Sequence, residues 1–151
     1  MDAAKLDEVK SAAEQAQVNV ELIAPAVGGV DDSDGTHAPA DQKIDGGPSV
    51  LYDAVILLAA KHGVPALAAQ PAVRDFVADA YAHCKFIGYT GDASSLFEAA
   101  GLGGLTYDGF VSLDEHSAAD FFSRCVKLRF WPRQAAIAQR AGAATASAGQ
   151  G

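Results

Sequence analysis

The stretch that most constrains this chain is "LYDAVILLAA", Leu51 to Ala60. Past Asp53 it is apolar without a break, far short of the roughly 18 residues a membrane helix needs. It also lacks the wet-face alternation of a strand exposed on one side. A run of this kind is expected of a central strand covered on both faces, and such strands belong to parallel sheets layered between helices.

The flanking segments agree with that architecture. Asp2 is placed to cap a helix running to about Gln17, with Leu6, Val9, Ala13 and Ala16 recurring on one face. "VNVELIAP" alternates Val18, Val20 and Leu22 against Asn19 and Glu21 until Pro25, which predicts a period-two strand. "AVGGVDDSDGTHAPADQKIDGG" is rich in glycine, aspartate and proline, and reads as an irregular loop with a short hairpin around Thr36. After the apolar run comes a helix, "PAVRDFVADAYAHC", with Val73, Phe76, Val77, Ala80 and Tyr81 inward, then the strand "KFIGYT". A second helix ends near Gly101, "GFVSLD" is the next strand, and a last helix is expected from about Ser117 to Phe130. Asp114 and Glu115 stand at its start and Arg124, Lys127 and Arg129 in its second half, the order that the helix dipole favours. The residues after Pro132 form an Ala/Gly/Ser tail with too little apolar bulk to pack.

Length and charge narrow the function classes. With 151 residues, half of them hydrophobic, one domain with a real core is expected. A net charge of −8 argues against nucleic acid or an anionic membrane surface as partner. "MDAAKLDEVK" shows no basic region followed by a greasy segment, so no secretory signal is expected and a cytoplasmic location is the default.

The residue patterns that carry chemistry elsewhere are weak here. Placing Gly35 at the sixth position of a calcium loop puts Val30 at the first ligand and Asp41 where the bidentate glutamate belongs, so a solvated turn is the better reading. His37, His62, His83 and His116 are scattered without ligand spacing, and Cys84 and Cys125 lack C-x-x-C spacing. Ligands of open α/β sheets gather at the carboxyl ends of the strands. Cys84, with Tyr81 and His83 beside it, precedes its strand and lies at the other end, while Cys125 falls mid-helix on an apolar face.

That leaves "FIGYTGDASSLFEAAGL", Phe86 to Leu102: a strand, a glycine turn and a helix, laid out like a nucleophile elbow. Its apex offers Gly91 and Asp92, Thr90 has no evident base, and Ser94 and Ser95 fall inside the following helix. Asp92 suits the first turn of that helix, where unpaired N–H groups favour a carboxylate.

Three segments, "SVLYDAVIL", "AVRDFVADAYAHCKFIGYTGDASSLFEAAGL" and "FFSRCVKLRFWPR", resemble the C-terminal domain of the large-subunit catalases. The resemblance covers nearly everything from Asp2 to Arg133. It implies an α/β, flavodoxin-like three-layer sandwich with a mostly parallel sheet, similar to the PfpI and class I glutamine-amidotransferase-like superfamily, over residues 1–133, followed by a low-complexity tail at 134–151. In active PfpI relatives a cysteine followed by histidine stands at the elbow. Counting back from "EAAGL" aligns those positions with Gly91 and Asp92, which implies a vestigial elbow and no catalytic residue. The family's first strand, expected before Asp2, is absent from this sequence, as is the carboxylate that active relatives carry near it.

Several expectations follow from the resemblance. The chain is a non-catalytic domain whose parent decomposes hydrogen peroxide with a haem that belongs to the parent's core. Its partners are that core and the neighbouring subunits, which it stabilises. Unpaired strand edges suit it to hold unfolded clients as a chaperone-like domain, or to pair with a second copy. The competing readings are a degenerate PfpI-type hydrolase or glyoxalase-like enzyme with a displaced nucleophile, and a sensor holding an anion at the elbow.

Overall fold

The computed structural model describes residues 3–26, 28–31, 34–46, 48–103 and 109–125. Among these residues five helices, α1 (Ala3–Ala16), α2 (Val64–Ala68), α3 (Pro71–Ala82), α4 (Ser95–Ala99) and α5 (Ala118–Cys125), flank a parallel sheet. That sheet contains β5 (Ala54–Leu57), β6 (Phe86–Tyr89) and β7 (Phe110–Ser112), in the order β5-β6-β7. The earlier strands are two-residue pieces: β1 (Ile23–Ala24) lies parallel to β4 (Gln42–Lys43), and β2 (Val30–Asp31) forms an antiparallel hairpin with β3 (His37–Ala38).

Strand alternation explains the unbroken apolar run. Val55 and Leu57 point to one face, where with Ile87 they meet Val64, Val73, Val77, Tyr81, Leu96 and Phe97 of α2, α3 and α4. Ala54, Ile56 and Leu58 point to the other, where Phe86 and Val111 pack on Val9 and Ala13 of α1 and Phe121 and Phe122 of α5. Helices therefore cover both faces, giving three layers. Gly88 fits the second face tightly: a Cβ there would stand 3.2 Å from both Ile56 Cγ1 and Phe121 Cε2, so the glycine lets α5 lie close to the sheet.

Three helices end in the same way. After α1, α3 and α4 a residue with left-handed backbone takes over: Gln17 (φ 57°), Cys84 (φ 56°) and Gly101 (φ 78°). At each, the N–H one residue later reaches back to the last turn, in the bonds Val18 to Ala13, Lys85 to Ala80 and Leu102 to Phe97. These are Schellman endings, which satisfy carbonyls that the helix leaves unpaired. Gly101 is thus the helix stop that its residue type predicted.

Several sequence expectations need correction. Val18 to Leu22 are not strand; the ladder with β4 is confined to Ile23 and Ala24, and Val18 and Val20 stand 42% and 39% exposed. Alternation alone does not make a strand where no partner strand runs alongside it. Within the apolar run only Ala54–Leu57 form strand, after a 3-10 turn at Ser49–Leu51. Among the described residues that strand is the sheet's edge rather than its centre, and β6 is the middle strand. Ala16 is exposed on α1, where Ala12 takes its place in the core, and Phe76 is only half-buried. The elements β4 and α2 fall in stretches read as loop or not assigned. The expected hairpin around Thr36 is present, while the tail and the last helix beyond Cys125 lie outside the described residues.

Candidate functional site

At the end of β6, the Thr90 backbone is extended (φ −86°, ψ 155°) and enters a 3-10 turn, Gly91–Ser94, that leads into α4. The Thr90 N–H donates to Leu57 O of β5 (3.2 Å) and the Ala93 N–H to Thr90 O (2.9 Å). Thr90 Oγ1 is buried with no hydrogen-bond partner. A nucleophile elbow holds its apex in a strained, left-handed conformation that throws one side chain forward. Here the left-handed residues of the described chain are Gln17, Cys84 and Gly29, Gly35, Gly101 and Gly109. Gly91 is not one of them, so this join is a relaxed turn.

A carboxylate from another loop fills the apex. The Gly91 N–H donates to Asp114 Oδ2 at 2.6 Å, and a Cβ built on Gly91 would stand 2.9 Å from that oxygen. Any side chain at position 91 must displace Asp114. Asp92, next to the apex, lies in the first turn of the 3-10 segment and is exposed. The loop that carries Asp114 is pinned on both sides by α1: Lys5 Nζ donates to Leu113 O (2.7 Å), and Glu8 Oε1 accepts the Ala118 N–H (3.0 Å). Lys5 also donates to Glu8 Oε2 at 2.9 Å. That bond, with the Ala118 amide, holds the Glu8 carboxyl below the usual carboxylate range.

The sequence assigned Asp114 to the dipole of the following helix and missed this contact. A partner 23 residues away leaves no local signature. The one clue was topological, since loops at the carboxyl ends of parallel strands converge.

The other candidates stand apart from the elbow. Cys84 is buried at the opposite end of β6 as the left-handed residue that terminates α3. Cys125 is half-buried in α5, its thiol pushed up to about 12 by burial and then by the charge of Asp53, so it is a neutral thiol at pH 7. His37 bonds Asp31 and Gly28 in the hairpin, His83 closes α3, and His116 lies 3.4 Å from Asp120. In the acidic loop, Asp34 Oδ1 accepts the Thr36 N–H at 2.9 Å, a turn role. Among the described residues no three His, Cys, Asp or Glu side chains converge to hold a metal ion, and no helix is long and apolar enough to cross a membrane.

Solved structures place this architecture among the DJ-1/PfpI, flavodoxin-like folds. A DJ-1 superfamily protein from Salmonella typhimurium, solved as a cysteine-to-alanine mutant, matches with a TM-score of 0.60 at 23% identity, over 95% of this chain and 92% of that one. DJ-1 of Schizosaccharomyces pombe matches with a TM-score of 0.63 at 15% identity, over 92% of each chain. At these identities the likeness concerns the fold alone. Sequence relatives are nearer. The chain is 49% identical over 137 residues to catalase C of Rhizobium meliloti, which covers 90% of this chain and 19% of that protein. It is 30% identical to catalase HPII of Pseudomonas putida with the same coverage. The chain thus spans about one fifth of the length of these relatives. Residues 1–135 match the model of the C-terminal domain found in long catalases, and the chain belongs to that family.

Proposed function

We propose that the chain is a non-catalytic domain that stabilises a catalase subunit or tetramer and, as a free domain, shields unfolded polypeptides from aggregation. The observation that carries the non-catalytic reading is the Asp114 carboxylate on the Gly91 amide, which fills the position where an active relative presents its nucleophile. The displaced-nucleophile reading is disfavoured by Cys125, a neutral thiol, and by Cys84, which serves to end a helix. The anion-sensor reading is disfavoured because the elbow amide already has its carboxylate. Gly91 and Asp92 are in this reading remnants of a site.

Peroxide decomposition, and the haem that performs it, belong in this reading to the core of the long catalases. A catalase-type axial ligand is a tyrosinate, and the Tyr52 phenol is held away from that state, pushed up to about 12 by burial first and then by its bond to Glu21. Partners are accordingly the catalase core and neighbouring subunits.

The test is deletion of this domain from a long parental catalase. The expected result is a lower thermal midpoint of the tetramer with peroxide turnover per haem retained; an unchanged midpoint removes the stabilising role. The chaperone half is tested by heating a labile client enzyme with the isolated chain. Unaltered light scattering at equimolar chain removes it.

A further inference from the structure

The two helices that share the second face of the sheet are held to it unequally. α5 puts Phe121 and Phe122 into that face, and Gly88 lets it lie close against the strands. Of the four residues that α1 buries, Leu6, Val9, Ala12 and Ala13, two are alanines, which remove little apolar area from water. Its polar ties reach the loop after β7: Lys5 Nζ donates to Leu113 O, and Glu8 Oε1 accepts the Ala118 N–H. Both side chains are partly exposed, so water replaces either bond at small cost. The chain after α1 is a tether. Beyond the left-handed Gln17 the Val18 N–H bonds back into the helix ending, and the next anchors are Tyr52 on Glu21 and Asp41 on Leu22. Val18 and Val20, between those anchors, are exposed. α1 thus has a hinge at residues 17–20 that turns without disturbing the ladder of β1 and β4.

What α1 covers is apolar and rich in aromatic rings: Phe86, Val111, Leu113, Phe121 and Phe122. The helix is a ligand carried on the same chain, and its own residues report what this groove accepts. Val9, Ala12 and Ala13 stand at i, i+3 and i+4 on the buried face. Glu8 directly precedes them and Lys5 lies three residues earlier, each matched by a backbone group of the loop 113–118.

We infer that this groove, with α1 swung out of it, takes an amphipathic helical segment of a partly folded client, and that α1 is its built-in competitor. This rests on the chaperone reading above and names the client chemistry it requires. The fitting segment carries small aliphatic residues at i, i+3 and i+4, an acid directly before the first, and a lysine three residues before the acid. Its apolar stripe meets Phe121 and Phe122, while its acid and lysine take over the Ala118 N–H and the Leu113 carbonyl. Heat opens the groove by releasing α1 before the rest of the fold, because α1 is the less deeply anchored of the two helices.

The probe is a fluorescein-labelled peptide with the sequence of residues 3–17, read by fluorescence anisotropy. Its apparent affinity scales with the fraction of chains whose groove is open. Val9→Ala trims the lid and leaves the floor intact, so this variant is expected to bind the peptide about tenfold tighter than wild type. A twin peptide carrying Val9→Asp and Ala13→Asp is expected to bind neither. Val9→Ala is also expected to protect a heated client at lower concentration than wild type, and excess peptide to abolish that protection. Hydrogen exchange on the wild type needs no variant: relative to intrinsic rates, the amides of α1 are expected to be less protected than those of α5 and β6. Equal protection in all three elements overturns the detachable lid. Absence of peptide binding to Val9→Ala, or equal affinity for both proteins, overturns the groove. Client protection that excess peptide leaves unchanged removes the groove and keeps the chaperone reading. Peptide binding without client protection does the opposite. Light scattering that shows Val9→Ala as a dimer dissolved by the peptide overturns the client in favour of α1 from a second copy.

Discussion

Two halves of this molecule handle the same kind of residue differently. In β5, β6 and β7, alternate side chains go to two covered faces, so Val55, Ile87 and Val111 are all buried. In the segment after α1, an alternating pattern at Val18 and Val20 finds no such cover, and the valines remain exposed. Composition does not separate the two. What separates them is lateral neighbours: β6 is bonded on both sides, while the 18–24 segment holds only the short β4 on one. A β-pattern becomes a strand when a partner strand runs along at least one edge and its faces are covered.

That contrast has a large energetic consequence. Phe121 is fully buried and touches the ring of Phe122 (centroids 5.8 Å apart) and the site of Gly88. Phe121→Ala leaves a cavity between α5 and β6 and is expected to destabilise by about 3–5 kcal/mol. Val20→Ala, also a truncation but in the exposed segment, is expected to stay within about 0.5 kcal/mol. Chemical denaturation of both variants checks the pair, and comparable losses would mean that the exposed segment contributes as much to the fold as the sheet does.

The same contrast explains what the sequence could reveal. The layered α/β class, the helix over 71–82, the strand around Ile87 and the stop at Gly101 were legible because each rests on local pattern and on burial that the pattern itself implies. The strand at Val18 was overread because alternation reports side-chain preference and says nothing about an available edge. Asp114 at the elbow was invisible for a related reason: its role comes from two loops meeting across the ends of the sheet. Lys85, fully buried beside β6, was likewise not foreseen, since a lysine in "CKFIGY" reads as the polar start of a strand.

A smaller effect is expected where α1 holds the loop that carries Asp114. Glu8→Ala removes the acceptor of the buried Ala118 amide and the partner of Lys5, at a cost of about 1 kcal/mol. The figure sits at the low end because the Glu8 side chain is 38% exposed and screened. Its folded pKa is depressed, first by Lys5 and then by the Ala118 N–H. The contribution is therefore present above the unfolded value of 4.5 and lost as pH falls through the lower folded value. The difference between wild type and Glu8→Ala in denaturant midpoint should narrow steadily below pH 4.5. A difference constant down to the acid transition would assign the effect to packing rather than charge.

The smallest effect belongs to the hairpin of the less covered half, and it has the opposite pH sign. His37 Nδ1 lies 2.9 Å from Asp31 Oδ1, and its Nε2 lies 2.5 Å from Gly28 O. Both partners are acceptors only, so both bonds form together only when each ring nitrogen carries a proton. The Asp31 carboxylate, and then the Gly28 carbonyl, accordingly raise the His37 pKa above its ordinary 6.5. A raised folded pKa means that the contribution is full below 6.5 and is lost as pH rises through the folded value. Amide protection in β2 and β3, taken relative to the intrinsic exchange rate at each pH, should therefore be greatest under mildly acidic conditions and fall as the ring loses a proton, while protection in β6 stays flat. Asp31→Asn is expected to bring the His37 titration, followed by its ring protons in NMR, back toward 6.5. If His37 titrates alike in wild type and variant, the pairing does not persist in solution and the hairpin is held by its backbone bonds alone.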